Sequence, residues 1–166
     1  MSVSLSITYF YLMIFLSYFF LSSIYDIKSR SVPNILHFLF ILLGFPIFIY
    51  FNFNQVSELN SDLIINSILR FIPGIVLALI SIASGGGLGI GDAVFITVSA
   101  FFIPLNYILT LVISGFFTAF IASMFILIYG KISGKALYSV SLPFIPFMLP
   151  GLYFILRDME YTGGLL

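Results

Sequence analysis

Two acids stand out by where they fall. Asp26 closes a long apolar run, and Asp92 ends the stretch Gly85-Gly86-Gly87-Leu88-Gly89-Ile90-Gly91-Asp92 between two others. A carboxylate beside a membrane-embedded stretch is costly and is a functional candidate by default. Two carboxyl groups a few ångströms apart cannot both ionise cheaply, so they share a proton. One takes a proton from water while the other gives one to a carbonyl, which is general acid–base hydrolysis without a covalent intermediate. That chemistry needs no metal, cysteine or serine. The glycines fit it. Five of the chain's thirteen lie in this stretch, and backbone without side chains leaves room for an extended peptide. Irregular backbone at membrane depth is tolerated where it lines a cavity.

Each acid also has a plainer reading. Alone, Asp92 reads equally as a helix cap, and Asp26 as an interfacial acid paired with Lys28 or Arg30. A phosphate-binding loop is disfavoured, because no lysine follows the glycines in the required pattern.

The surrounding composition says what must position these acids. Of 166 residues, 61% are hydrophobic and 7% charged, against about 25% charged in a soluble domain. Mean hydropathy is +1.23. The chain has too little polar surface to cover a water-facing globule and reads as a polytopic membrane protein. Net charge is zero, which gives no reason to expect a nucleic-acid partner. With no cysteine, disulfides, thiol nucleophiles and thiolate metal sites are excluded, and the single His37 cannot build a histidine-rich metal site. No metal and no cofactor are expected.

Hydropathy predicts an all-α bundle of about six spans in one domain, near residues 3–25, 35–51, 63–84, 92–104, 107–129 and 140–156. The first lacks a basic leader and a clear cleavage site and reads as a retained span. Pro33 ends the charged stretch that follows it, and Asn34 is placed to cap the second span. Pro73-Gly74 is expected to kink the third span. Asn106 marks a tight turn, and the tail from Arg157 onward reads as loose. Lys28, Arg30, Lys131 and Lys135 fall on loops that six spans place on one side, together with the glycine stretch. By the basic-residue asymmetry that side is the cytoplasm, with Glu58, Asp62 and both termini opposite. Asp26 and Asp92 then meet at the cytoplasmic end. The helix dipole disfavours charge on Asp26, at a helix C-terminus, and favours it on Asp92, at a helix N-terminus. On that ground the shared proton belongs on Asp26, and Asp92→Asn is the more perturbing change.

Three segments together resemble a known family. Asp26-Ile27-Lys28-Ser29-Arg30-Ser31-Val32-Pro33-Asn34 looks like D-x5-[IV]-P-N. Gly89-Ile90-Gly91-Asp92 looks like GxGD, and Pro143-Phe144-Ile145-Pro146 looks like a late P-F-x-P segment. In this order they resemble the type IV prepilin peptidases, the GxGD aspartic proteases of the inner membrane, over nearly the whole chain. The resemblance implies an endopeptidase in the bilayer whose partner is a prepilin-like membrane precursor, cut between a short basic leader and a hydrophobic helix. It implies Asp26 and Asp92 as the catalytic pair. Gly89, Gly91, Pro33, Asn34, Lys28, Arg30, Pro143 and Pro146 would shape the loops and the substrate seat. Larger members carry a cysteine-paired domain that N-methylates the mature pilin; this chain is similar to the short, peptidase-only members. Many members have a lysine two residues after the GxGD aspartate, where this chain has Val94.

Other polar residues have plainer roles. Lys28 and Arg30 read first as headgroup anchors, His37 as a hydrogen-bonded structural residue, and Arg70 as a side chain on the far side that snorkels outward or pairs with Glu58 or Asp62. Two rival functions remain open: a proton or cation relay in a transporter or channel subunit, and an inactive pilus-assembly factor supported only by Val94. Oligomeric state and the identity of the precursor are not encoded in any motif.

Overall fold

The computed structural model describes residues 2–54, 61–85, 89–133 and 142–162. Their regular structure is helical, with no strand among them. The order is α1 (Ser2–Ser29), α2 (Asn34–Asn54), α3 (Ser61–Leu69), α4 (Ile72–Ala83), α5 (Ile90–Ser99), α6 (Leu105–Ser133), a 3₁₀ turn (Ile145–Met148) and α7 (Leu149–Thr162). Three stretches are long and apolar enough to cross a membrane: Phe10–Ser29, Ile65–Ala83 and Leu105–Ser133. Asn34–Tyr50 and Ile90–Ser99 are shorter apolar helices. The protein is an all-helical membrane bundle.

Proline explains the breaks. Pro73 has no N–H for the Leu69 carbonyl, and its ring crowds that carbonyl. The helix therefore stops at Leu69 and restarts at Ile72, with Phe71 at the cap position. The expected kink falls at this interruption, with Arg70 in the turn, inside the apolar stretch Ile65–Ala83. The prolines near the end also act more sharply than expected. Residues 142–144 are not helical, the 3₁₀ turn follows, and α7 begins only at Leu149. Residues 140–141 lie outside the described region. Two further expectations are corrected. Asn106 sits in the first turn of α6, where the Pro104 carbonyl accepts the N–H groups of Tyr107 and Ile108, so the turn precedes it. Arg157 belongs to α7, which stays helical to Thr162 because Ile155 and Met159 keep one side against the core.

The core forms around α5. Ala93, Phe95, Ile96, Val98 and Ser99 are all buried, as expected for a helix apolar on every side. Ten residues at 1.5 Å each give α5 a length of roughly 15 Å, about half the hydrocarbon thickness. It packs closely on α4. At the contact, a Cβ built on Gly74 would stand 2.9 Å from the Thr97 nitrogen and 3.0 Å from its Cα. Backbone cannot yield as a side chain can. Gly74→Ala should therefore push α4 off α5 and destabilise the bundle by about 1–3 kcal/mol. A lower melting temperature in detergent checks this; an unchanged one refutes the close approach.

α1 presents one inward stripe: Phe15, Tyr18, Phe19, Ser22, Ser23 and Asp26, each buried and spaced three, one, three, one and three residues apart. That is the helical period. Its lower part is aromatic. The Tyr18 ring stacks on Phe95 at 5.0 Å and lies 4.7 Å from Phe40, joining α1, α5 and α2. Its upper part is polar and ends on Asp26. By contrast, Phe117, Phe120, Phe125 and Ile132 of α6 are exposed and serve as lipid contact.

Candidate active site

Asp26 lies in the last turn of α1 and is 6% exposed. Its Oδ2 accepts the Ile145 N–H at 3.0 Å, and the Phe144 N–H donates to the same carboxylate. The donors follow from the sequence around them. A helical turn begins with N–H groups that have no partner of their own. Pro143 and Pro146 carry no N–H, so the free donors left at this start are those of Phe144 and Ile145. Both go to Asp26. The late proline segment is thus a clamp on the first aspartate, and Phe144 and Ile145 themselves are buried beside it.

Asp92 is the third residue of α5, half-buried, with Gly89 as the N-cap. The Gly89 N–H donates to its carboxylate, while the Gly89 carbonyl accepts the Asp92 N–H at 3.1 Å. This is the reciprocal arrangement of a capping box with an aspartate in the third place. The capping role and the chemical role therefore coexist in one residue. The Asp26 and Asp92 carboxyl groups lie within coulombic reach of each other. Asp26 comes from the end of α1 and Asp92 from the start of α5.

The glycines divide their roles. Gly85 adopts φ of 62° just past the end of α4, where an L side chain would be strained. Residues 86–88 are outside the described region. A Cβ on Gly89 would stand 2.9 Å from Asp92 Oδ2. Among the described residues, a Cβ on Gly91 would meet no atom within 4 Å. Gly89 thus fixes the carboxylate, and Gly91 borders open space beside it.

Lys28, Arg30 and Asn34 of the first motif follow Asp26 along the chain. Arg30 is exposed, adopts φ of 52°, and places its charge within coulombic reach of Asp26. The Arg30 N–H donates to the Asp26 carbonyl at 2.9 Å, closing α1. Ser29 Oγ donates to the carbonyls of Tyr25 and Ser31 and helps reverse the chain. Lys28 and Asn34 are exposed. The capping place falls one residue earlier than Asn34: α2 begins on Asn34 itself, and the Pro33 carbonyl accepts the Leu36 N–H at 2.9 Å. Val94 is half-buried against the core. No group of three or more metal-ligating side chains occurs among the described residues.

Sequence reasoning missed two features. One is the pair of N–H donors, legible in principle from two prolines bracketing two residues. The other is the polar run on the α1 stripe, with His37 packed next to it through a 2.6 Å hydrogen bond to Tyr18.

A family profile described as the type IV leader peptidase family matches residues 12–131. The chain belongs to the type IV leader peptidase family. The match covers both aspartates and the glycine stretch but ends before the proline clamp, which the Ile145–Asp26 hydrogen bond ties to the same site. No curated protein and no solved structure matches the chain. As a member of this family it is a peptidase, held in a membrane by its apolar helices.

Proposed function

We propose that this leader peptidase is an aspartic endopeptidase that removes the basic leader from prepilin-like precursors at the cytoplasmic face of the inner membrane. The observation that carries this reading is the pairing of Asp26 with Asp92 beside the open space at Gly91. One carboxylate takes a proton from water as the water oxygen bonds to the scissile carbonyl carbon. The partner carboxylic acid gives its proton to the carbonyl oxygen. The resulting gem-diol then collapses, the C–N bond breaks, and a proton passes to the departing amine. Neither metal nor thiol is needed, and methyl transfer is not expected from this chain.

The relay reading is weaker. A proton path needs acids along the membrane depth, whereas both acids here converge on one end of the bundle. The inactive-factor reading rests on Val94 alone, and both carboxylates are present. Purified protein incubated with a panel of prepilin-like precursors should release a leader and a shortened product, read by mass. Proton flux in liposomes with no cleavage of any precursor would favour the relay instead.

The orientation follows from Lys28, Arg30 and Lys131. Single cysteines placed at Lys28 and Lys131 of this cysteine-free chain should react with a membrane-impermeant reagent only from the cytoplasmic side, and one at Glu58 only from outside. The reverse pattern overturns the orientation.

A further inference from the structure

Beneath Asp26 lies a set of buried polar atoms that the hydrolytic scheme does not use. Ser22 and Ser23 are 0% and 6% exposed, one turn inward on the α1 stripe, and His37 is 4% exposed. Among the described residues, Ser23 Oγ and His37 Nε2 have no protein hydrogen-bond partner. Ser22 Oγ sits beside the Tyr18 phenol without closing a full hydrogen bond. The Tyr18 hydroxyl in turn holds His37 Nδ1 at 2.6 Å. Tyr18 therefore draws His37 of α2 and Ser22 of α1 into one neighbourhood, below Asp26 and above the Tyr18–Phe95 stack.

Each buried polar atom left without a partner costs about 1–3 kcal/mol, and in a membrane bulk water cannot reach inward to relieve it. A small group that can both donate and accept answers two hydroxyls and one imidazole nitrogen in either histidine tautomer. A cation does not fit: the set supplies neutral atoms, and Asp26 is already engaged by two N–H groups. Water fits, since a buried water typically bonds two to four polar partners.

We infer that Ser22, Ser23 and His37 hold internal water directly beneath Asp26. This inference rests on the proteolytic reading for its purpose. A peptide seated at Gly91 would cover the outward side of the carboxylates, and hydrolysis still consumes one water per bond. Water held on the inward side meets that need without reopening the site. Tyr18 is a positioning residue in this scheme, since it acts through His37.

X-ray hydroxyl-radical footprinting of the full-length protein in nanodiscs tests the site without reference to activity. Radicals form from water at its place and oxidise the nearest aromatic ring. Tyr18, Phe15 and Phe19 are all 0% exposed, so bulk water reaches none of them. Tyr18 should be labelled rapidly, while Phe15, facing apolar core, stays unlabelled. In a Ser22→Ala/Ser23→Ala double variant, labelling of Tyr18 should fall to the level of Phe15. Wild-type Tyr18 labelled no faster than Phe15 overturns the inference, as does undiminished labelling in a folded double variant. If the double variant unfolds, the wild-type contrast decides alone. Rapid labelling of Tyr18 in a protein that cuts no precursor counts against the proteolytic reading and leaves the water site standing.

Discussion

Asp26→Asn and Asp92→Asn should each abolish leader cleavage while leaving a folded protein. General acid–base participation contributes typically about 10²–10⁴-fold per group. Neither variant retains a second carboxyl to exchange the proton, so losses at or beyond the upper end of that range are expected. Measured turnover within tenfold of wild type in either variant would remove the pair from the mechanism. The two should differ in stability. A carboxylate offers two acceptor oxygens and an amide only one. Asp26 receives the N–H groups of both Phe144 and Ile145, from a distant part of the chain. Asp92 receives one, from Gly89 in its own turn. An amide at position 26 sets its NH₂ against a buried donor, at about 1–3 kcal/mol. Asp26→Asn should therefore melt at the lower temperature. Equal melting of the two variants would argue against the clamp.

That order reverses the one expected from helix dipoles, and the reason shows what sequence can and cannot carry. The dipole argument considers each aspartate on its own helix. At Asp26 the unfavourable C-terminal end of α1 is answered by N–H groups contributed 119 residues later in the chain. Local pattern cannot report a partner at that distance. What was legible was local: the apolar runs, the acid at the end of each approach, the glycines before Asp92, and the prolines that punctuate the last segment. Pro73 reads as a kink and the helix is interrupted there, because its ring removes both a donor and the room for the Leu69 carbonyl. The tail looked polar and loose, yet Ile155 and Met159 recur at helical spacing and bury. The serines of α1 were hidden inside an apolar run. Only their spacing of three and four residues from Asp26 marks them as facing the same way.

The two glycines of the second motif separate positioning from access, and their alanine variants should fail differently. Gly89 has φ of −66° and ψ of 127°, a conformation open to any L residue. Gly89→Ala therefore adds no backbone strain. Its Cβ would stand 2.9 Å from Asp92 Oδ2, so the carboxylate has to shift by a few tenths of an ångström. A displacement of about 1 Å at a reacting group can lower the rate about 10²-fold. A fall in kcat of roughly tenfold to that limit, with KM little changed, is expected. Gly91 lies in the first turn of α5, where alanine is favoured over glycine by about 0.8–1.0 kcal/mol in a helix interior and somewhat less at its start. No atom of the described residues stands within 4 Å of its added Cβ. Gly91→Ala should melt no lower than wild type. If the open space seats the precursor, the same variant should raise KM and spare kcat. A lowered kcat in Gly91→Ala with unchanged KM would place the substrate elsewhere. Wild-type kcat in Gly89→Ala would show that Asp92 is not held by that contact.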